Sequence, residues 1–435
     1  MRRSVGRLYY FVIAAGAFFT VAVIIGLTNN LYTLYVIPVT RDLSISRGVF
    51  SLALTVRYIA SAFCNLFMGR VYQKYGYRRP TALLVALVAL SFVGYALAQN
   101  MLPYLLGALI YGIGEYFIST AALSRLIATW FYSHQGVVTG IVMAASGVGG
   151  SILSLVLSSI MEASSWRDAQ LFSAGLLAIV AVIIFFVMRD RPEEVGLTPY
   201  HSPDKPVRSL RHRKLITPWD GVSMHELTRK PYFYLTMAGM MLATIASNGV
   251  YCIVVPHLQD VGFSAAFAAK MLSLMLIMMA VDKILLGLLT DRFGAHCSVL
   301  ACVCFCFVGI VMLLNIHSQW QAVAAAVLLS MSVCLNGFIQ PLLAQELFGR
   351  RAYSTTLGIM LAMLSIGGLL SSPLVNFSFD LTGSYRQILY VLAGVTVLDA
   401  ILLLPAFYEE GRFRRKVESE ANASAAATVS DTEGE

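Results

Sequence analysis

Charged side chains are scarce in this sequence, at 12% of its 435 residues, whereas 58% of the residues are hydrophobic. Ordinary soluble domains are about 25% charged and about 45–50% apolar, so this chain has more apolar side chain than a water-soluble core could bury. Its 31 basic and 23 acidic residues give a net charge of +8, but the basic residues are scattered between apolar runs and form no single stripe for nucleic acid. The composition excludes a soluble enzyme and indicates a membrane protein.

Cysteine is also sparse, and the partners that cysteine chemistry needs are missing. Four of the seven cysteines lie close together, at Cys297, Cys302, Cys304 and Cys306, and the last three have no His, Asp or Glu beside them in the apolar run. We interpret them as small helix-packing residues, with metal or disulfide chemistry as the minor alternative. No nucleophile with a base, and no metal-ligand set, is visible in the apolar segments. The sequence therefore predicts neither an enzyme nor a cofactor or metal site.

Long apolar stretches are abundant, and twelve of them approach the roughly 20 residues that a helix needs to cross a bilayer. They lack the alternating pattern of a membrane β-barrel, and backbone amides in lipid must be paired, so helices are predicted. The first six lie at residues 9–39, 50–68, 81–98, 102–130, 136–161 and 169–188, and the second six at 232–256, 268–289, 299–315, 321–348, 355–377 and 388–407. The predicted fold class is an all-α membrane protein with twelve transmembrane helices in two six-helix bundles.

The distribution of lysine and arginine predicts the orientation. If the N-terminus is cytoplasmic, 23 basic residues fall on the inside and five on the outside, and three, Arg57, Arg125 and Lys283, fall within spans. Such an excess predicts that both termini and the middle loop face the cytoplasm, and we expect a multi-pass protein of the plasma (cytoplasmic) membrane. The middle loop is basic and could also contact anionic lipid headgroups.

The two groups of six stretches are internally related. Shifting the chain by 218 residues aligns Asn30 with Asn248, Pro38 with Pro256, Ser46 with Ser264, Gly69 with Gly287, Gly76 with Gly294, Gly140 with Gly358, Gly149 with Gly367 and Gly150 with Gly368, and one extra residue aligns Arg167 with Arg386 and Gly175 with Gly394. Such a duplication relates the halves by an axis along the membrane normal and places a cleft between them. We predict an N-terminal bundle at 1–188, a cytoplasmic linker at 189–231, a C-terminal bundle at 232–408 and a disordered cytoplasmic tail at 409–435.

Two glycine-bounded loops follow the second and the eighth stretch. They read GRVYQKYG from Gly69 to Gly76 and GLLTDRFG from Gly287 to Gly294. Both resemble the cytoplasmic loop signature of the major facilitator superfamily, in which an acid four residues after the first glycine caps a helix of the opposite half. Gln73 stands where the family has Asp, so only Asp291 keeps the acid; an ordinary basic loop is the alternative. The predicted gating residues are Gly69, Gly76, Arg125, Gly287, Asp291 and Arg292.

Three further runs, Trp130-Phe131 with 136–150, 191–197 and 224–235, resemble the branch of that superfamily that contains oxalate/formate antiporters and monocarboxylate transporters. The resemblance implies a small organic anion as cargo. It also implies a substrate-binding basic residue on the eighth helix four residues before Gly287, which is the position of Lys283. Because the eleventh stretch has no basic residue, a monoanion fits better than a dianion held between two cations.

Polar residues at helical spacing occur on the helices that resemble the cavity liners of the superfamily, the first, fourth, seventh and tenth. They include the pairs Asn29 and Tyr32, Tyr111 and Glu115, Asn248 and Tyr251, and Asn336 and Gln340. Such side chains are expected to avoid lipid and to face the cleft, although each Asn or Gln could instead only join helices. The predicted substrate-binding residues are Lys283, Arg57, Asn30, Tyr32, Tyr116, Asn248, Tyr251, Asn336 and Gln340.

Intramembrane charges are costly, at about 2.5–3.5 kcal/mol each near the bilayer centre, so they need compensation. Arg57 and Glu115 fall in the same half of the membrane and form either a structural salt bridge or a coupling pair in which Glu115 takes a proton. Asp282 is either an ion partner of Lys283 or a second proton-coupling group. Asp399 in the last stretch has no predicted role.

Together, these features predict a monomeric secondary transporter for a small organic anion, a monocarboxylate above all, with proton symport or anion exchange. Its expected partners are that anion, protons and membrane lipid, without nucleic acid. The alternatives are proton-coupled efflux of hydrophobic or cationic compounds and a non-transporting membrane sensor.

Overall fold

The structure is a computed structural model, and it describes residues 2–115, 126–127, 129–131, 135–198, 200, 223–336 and 339–432. The described residues form fourteen α-helices and one 3₁₀ turn (Pro192–Val195), and their one β-bridge joins Phe131 to Tyr200. The helices are α1 (Arg2–Asn30), α2 (Tyr32–Asp42), α3 (Arg47–Tyr75), α4 (Arg78–Leu97), α5 (Met101–Glu115), α6 (Gln135–Ala163), α7 (Trp166–Val187), α8 (Met224–Leu227), α9 (Pro231–Asp260), α10 (Ala265–Phe293), α11 (Ala295–Leu314), α12 (Gln319–Val333), α13 (Gln340–Thr382) and α14 (Arg386–Thr432).

The prediction of an all-α membrane protein is confirmed. In the described part, nine helical stretches are long and apolar enough to cross a bilayer, and two shorter apolar helices, Met101–Gly114 and Gln319–Val333, lie among them. The predicted count of twelve spans is not confirmed. The predicted fourth span continues past α5 into residues outside the described part, and the predicted tenth span is divided between α12 and the start of α13.

Three backbone features bear on the predicted spans and tail. The first span is broken at Leu31, whose dihedral angles (φ −113°, ψ 4°) separate α1 from α2. α13 contains Gly349 at φ 72°, a left-handed conformation that glycine adopts at low cost, and this kink divides the predicted tenth and eleventh spans. α14 runs as one helix from Arg386 to Thr432 and so includes the described residues of the segment that was predicted as a tail from residue 409.

The helices form two pseudo-symmetric bundles. In the first bundle α1 packs on α6, α4 packs on α7, and α3 and α4 pack on α5. In the second bundle α9 packs on α13, α11 packs on α14, and α10 and α11 pack on α12, which are the same pairs at the sequence shift of 218. Between the bundles, α3 packs on α13, α6 on α10, and α2 on α9. The interface therefore has the two-fold character that the internal duplication predicts.

Glycines of α6 allow close approach on two sides. An added Cβ at Gly149 would lie 2.0 Å from the carbonyl oxygen of Ala22 on α1, within the same bundle. An added Cβ at Gly147 would lie 2.5 Å from the carbonyl oxygen of Leu276 on α10, in the other bundle. These glycines replace side-chain packing by direct contact between helix backbones.

Candidate functional site

Lys283 lies at the interface between the bundles. It is half-buried on α10, and its Nζ donates to the Oγ of Ser146 on α6 over 3.4 Å. The backbone oxygen of Ser146 accepts from the Nδ2 of Asn30 at 3.2 Å. The ammonium group is therefore directed toward the first bundle and meets a neutral hydroxyl there.

Asp282, the neighbour of Lys283, points elsewhere. Its Oδ2 accepts from the Ser330 hydroxyl on α12 at 2.5 Å, and the side chain is buried within the second bundle. Successive residues of a helix are turned by about 100°, which separates these two side chains. No ion pair joins Asp282 to Lys283 in the described residues, so the predicted partnership between them is not formed.

Backbone breaks provide acceptors for two hydrogen bonds across the interface. The Tyr251 hydroxyl donates at 2.5 Å to the carbonyl of Asn30, which ends α1 and so has no partner in its own helix. The Thr33 hydroxyl donates at 3.0 Å to the carbonyl of Cys252. That carbonyl lies four residues before Pro256, which has no N–H to offer it. Asn30 and Tyr251, both predicted site residues, are thereby brought together.

The remaining polar residues of the second bundle lie next to this region. The Nδ2 of Asn336 donates to the Oδ1 of Asn248 at 3.1 Å and to the Ser247 hydroxyl at 3.4 Å. Gln340 begins α13 and is fully buried, and neither its amide nitrogen nor its oxygen has a hydrogen-bond partner in the described part of the chain. Such a side chain retains capacity to bind a polar ligand or water.

Arg57 lies inside the first bundle, beside a cavity of about 40 Å³, which is room for a few water molecules. Its side chain is buried, its Nη1 donates to the carbonyl of Thr28 at 3.0 Å, and the guanidinium lies 4.6 Å from the ring centroid of Tyr111. The other residues that line the cavity are Leu27, Tyr32, Tyr35, Ala53, Leu54, Phe92, Tyr95, Tyr104 and Gln170. Arg57 thus supplies positive charge among tyrosines.

Some predicted residues lie outside the described part of the structure. Tyr116 and Arg125 are among them, as are the side chain of Glu115 and the surroundings of Gly69. The pairing of Arg57 with Glu115 therefore stays a prediction.

The loops predicted to gate the cleft contain helix caps that the sequence did not reveal. Gly76 turns the chain at φ 74°, and the Asp190 carboxylate then accepts the N–H groups of Tyr77 and Arg78 (2.9 and 2.7 Å) at the start of α4. At the equivalent place in the second bundle, after Gly294 at φ 93°, Glu346 accepts the N–H of Ala295 at 2.5 Å and contacts His296 at 2.6 Å. Glu346 comes from the same bundle as the helix it caps, and Asp190 comes from the segment that directly follows α7 of the first bundle.

The gating residues predicted in the second loop lie before the turn at Gly294 and take no part in the cap made by Glu346. Asp291 and Arg292 are exposed at the end of α10, and Gly287 is half-buried. The Arg292 guanidinium lies 5.3 Å from the ring centroid of Phe293. Their gating role stays a prediction.

Sequence reasoning missed several interface groups, notably Ser146 and the pair Ser151 and Ser273, whose hydroxyls lie 2.7 Å apart across the interface. The glycines beside them gave a signal, because small residues mark the places where two helices meet. For Thr33 the signal was Pro256, which leaves a carbonyl unpaired one turn earlier.

Two pseudo-equivalent bundles of apolar helices, with polar side chains meeting at the interface between them, define a multi-pass membrane transporter. The chain belongs to the Major Facilitator Superfamily, whose model matches residues 17–345 and, in a second match, residues 236–431. Members of this family are transporters and not enzymes, so the predicted class of protein is confirmed.

Relatives and solved structures agree with this assignment. The chain is 23% identical over 349 residues to monocarboxylate transporter 12-B of Danio rerio, covering 74% of this chain and 70% of the relative. It is 22% identical over 423 residues to the uncharacterised MFS-type transporter YcxA of Bacillus subtilis (strain 168), covering 94% and 97%. The fold resembles that of the nucleoside transporter NupG (TM-score 0.69, 13% identity, 92% of this chain and 99% of that chain). It also resembles a bacterial homologue of the human lysosomal transporter Spinster in an inward-facing, occupied conformation (TM-score 0.65, 15% identity, 93% and 96%).

Proposed function

We propose that this protein is a secondary active transporter of a small monocarboxylate or a related organic anion, working by alternating access. The observation that carries the proposal is the Lys283 ammonium at the interface of the bundles, where its described partner is the neutral Ser146 hydroxyl. A cation within the membrane is costly unless an anion or several dipoles compensate it. Relatives named monocarboxylate transporters support the same cargo.

In the proposed cycle, the carboxylate displaces the Ser146 hydroxyl from Lys283. At 3.4 Å that hydrogen bond is long, so exchanging it for a charge-assisted one favours binding. Gln340 offers an amide donor that has no partner in the described part of the chain, and the Tyr251 hydroxyl already connects the bundles nearby. Rocking of one bundle against the other would then expose the bound anion on the opposite side.

The coupling belongs to the same proposal, with proton symport preferred and anion exchange as the second form. Asp282 and Glu115 are the acids assigned to it, because an ionisable residue in a long apolar stretch usually has a functional role. The orientation is also proposed: the excess of lysine and arginine in one set of loops supports cytoplasmic termini in a plasma membrane.

Uptake of labelled monocarboxylates into proteoliposomes tests the cargo and the site. Lys283→Gln removes the charge, and we expect uptake at low substrate concentration to fall roughly 10- to 100-fold, because a hydrogen bond to a charged group contributes about 1.5–3 kcal/mol. Lys270→Gln is the matched control, since Lys270 is exposed on the same helix. Undiminished uptake by folded Lys283→Gln protein would contradict the site.

The same vesicles distinguish the two forms of coupling. An imposed pH gradient should drive accumulation by a symporter into empty vesicles, whereas an exchanger needs vesicles preloaded with anion. Competition by lipophilic cations would instead favour efflux of cationic compounds.

A further inference from the structure

The bundles are locked together at the end of the molecule where α2 and α9 finish, called here the distal end. Arg47, at the start of α3 in the first bundle, donates through Nη1 and Nη2 to the two carboxylate oxygens of Asp260, at the end of α9 in the second (2.5 and 2.8 Å). The Arg47 guanidinium also lies 3.8 Å from the ring centroid of Phe379 on α13. Its side chain is 13% exposed, so this bidentate pair is shielded on one side by an aromatic ring.

A second acid closes the same junction. The Asp380 carboxylate of α13 accepts the backbone N–H groups of Arg47 and Gly48 at 3.1 and 2.8 Å, and thus caps a helix of the opposite bundle. An added Cβ at Gly48 would lie 2.3 Å from the Phe377 ring. The distal contact is therefore close-packed as well as charged.

The internal duplication exposes an asymmetry in this junction. Asp42 is the equivalent of Asp260 at the shift of 218, and Arg167 is the equivalent of Arg386 at the shift of 219. In the first bundle Asp42 forms an ion pair with Arg167, which also donates to the carbonyl of Ala98 at 3.0 Å. In the second bundle the equivalent pair is not made, because Asp260 is bound to Arg47 of the other bundle.

Arg386 is nevertheless within the neighbourhood of Asp260. It begins α14, which packs along α9, and it directly follows Tyr385, whose ring centroid is 6.2 Å from that of His257 on α9. Arg386 is exposed, and no acid of the described residues lies within ion-pair distance of it. An aromatic residue followed by arginine stands at both places, as Trp166-Arg167 and Tyr385-Arg386.

We propose that Asp260 is a gate residue with two alternative partners. It binds Arg47 of the first bundle while the distal end is closed, and it binds Arg386 of its own bundle when the distal end opens. The open arrangement then reproduces in the second bundle the pair that Asp42 and Arg167 form in the first. Arg386, which forms no ion pair with the described residues in the closed arrangement, is thereby a determinant of the conformational equilibrium.

The exchange has a clear energetic reason. Opening the distal end breaks the bidentate pair and leaves Asp260 and Arg47 to be rehydrated. A second arginine within the same bundle replaces one of the lost interactions, so that the two states stay close in free energy, as alternating access requires. This inference rests on the rocking motion of the proposed function, but its test measures distance and needs no transported substrate.

The test uses double electron–electron resonance between spin labels attached through an unnatural amino acid at Gln99 and His317. Both are exposed at the distal end, one in each bundle, and this chemistry spares the native cysteines. Arg47→Ala should increase the ratio of long to short distances. Adding Arg386→Ala to that variant should lower the ratio again, about two- to five-fold, the effect of one partly exposed ion pair. Adding Arg167→Ala to the same variant is the matched control and should leave its distribution unchanged, because Asp42, the partner of Arg167, forms no ion pair with the other bundle in the described residues.

The proposal is overturned if Arg386→Ala leaves the long-distance population of the Arg47→Ala protein as it was, or if Arg167→Ala changes the distribution as much as Arg386→Ala does. Arg386→Lys, which keeps the charge, should retain most of the long-distance population. If the vesicles take up no monocarboxylate but the distance distributions change as predicted, the proposed cargo is contradicted and the partner exchange is supported.

Discussion

At the scale of single residues, the adjacent ionisable groups Asp282 and Lys283 have separate environments. One accepts from Ser330 inside the second bundle, and the other reaches Ser146 of the first. Both charges were evident from the sequence, because charged residues in a long apolar run are rare. Their serine partners were not, since a hydroxyl has no sequence signal of its own among so many small residues.

Asp399 is the residue that most needs explanation at this scale. It is fully buried on α14, and neither carboxyl oxygen has a hydrogen-bond partner in the described part of the structure. A buried polar group in that situation costs about 1–3 kcal/mol. We therefore expect Asp399→Ala to leave the melting temperature of the purified protein unchanged or to raise it.

Leu403→Ala is the control for that measurement, because Leu403 is also fully buried on α14. Truncating a buried leucine should cost about 2–5 kcal/mol. If Asp399→Ala lowers the melting temperature as much as Leu403→Ala does, the carboxyl group is stabilising the fold, and its treatment as an uncompensated polar group is wrong.

At the scale of helices, backbone carbonyls that lack a helical N–H partner accept hydrogen bonds from side-chain hydroxyls across the interface. The break at Leu31 leaves the Asn30 carbonyl for Tyr251, and Pro256 leaves the Cys252 carbonyl for Thr33. Apolar length predicted these helices but not the break, because the polar pair Asn29-Asn30 before Leu31 was interpreted as part of a cleft-facing surface on one continuous span.

Thr33→Val tests this completion. The substitution keeps the shape of the side chain and removes the donor, so the Cys252 carbonyl is left unpaired, at an expected cost of about 1–3 kcal/mol. Thr236→Val is the matched control, because the Thr236 hydroxyl donates to the carbonyl of Tyr232, which also has a helical N–H partner four residues on. Thermal unfolding in detergent should show a clearly larger loss for Thr33→Val, and equal losses would contradict the argument.

At the scale of the whole molecule, the fold could be predicted from the sequence to a large extent. Twelve apolar stretches and the many residue pairs aligned by the shift of 218 predicted two related bundles, because each signal occurs many times along the chain. The cross-bundle contacts of Lys283, Arg47 and Thr33 could not be predicted, because they depend on how two bundles dock and each occurs once. The extent of α14 into the segment predicted as a tail was not predicted either: its polar composition suggested disorder, whereas its alanine and glutamate also favour helix.

The contacts between the bundles predict that the two bundles associate even when they are expressed as separate chains. Co-expressed segments 1–200 and 223–435 should co-purify, because α3 packs on α13 and α6 packs on α10 along the interface. Gly147→Leu should abolish this association, since an added Cβ already lies 2.5 Å from the Leu276 carbonyl. Gly175→Leu is the control, because nothing lies within 4 Å of its added Cβ. Pull-down through a tag on one segment measures the association. If the two unsubstituted segments do not co-purify, the prediction is contradicted.

The proline in α9 also constrains how the molecule can move. The oxygen that Pro256 deprives of its helical donor has to be satisfied in every state of the protein, and the hydroxyl of Thr33 does so from the other bundle. If one bundle tilts against the other while the hydrogen bond between Thr33 and Cys252 is kept, the rotation has to be centred on that bond. The point of contact between α2 and α9 then acts as a fulcrum, and displacement of the helices grows with distance from it toward both membrane surfaces.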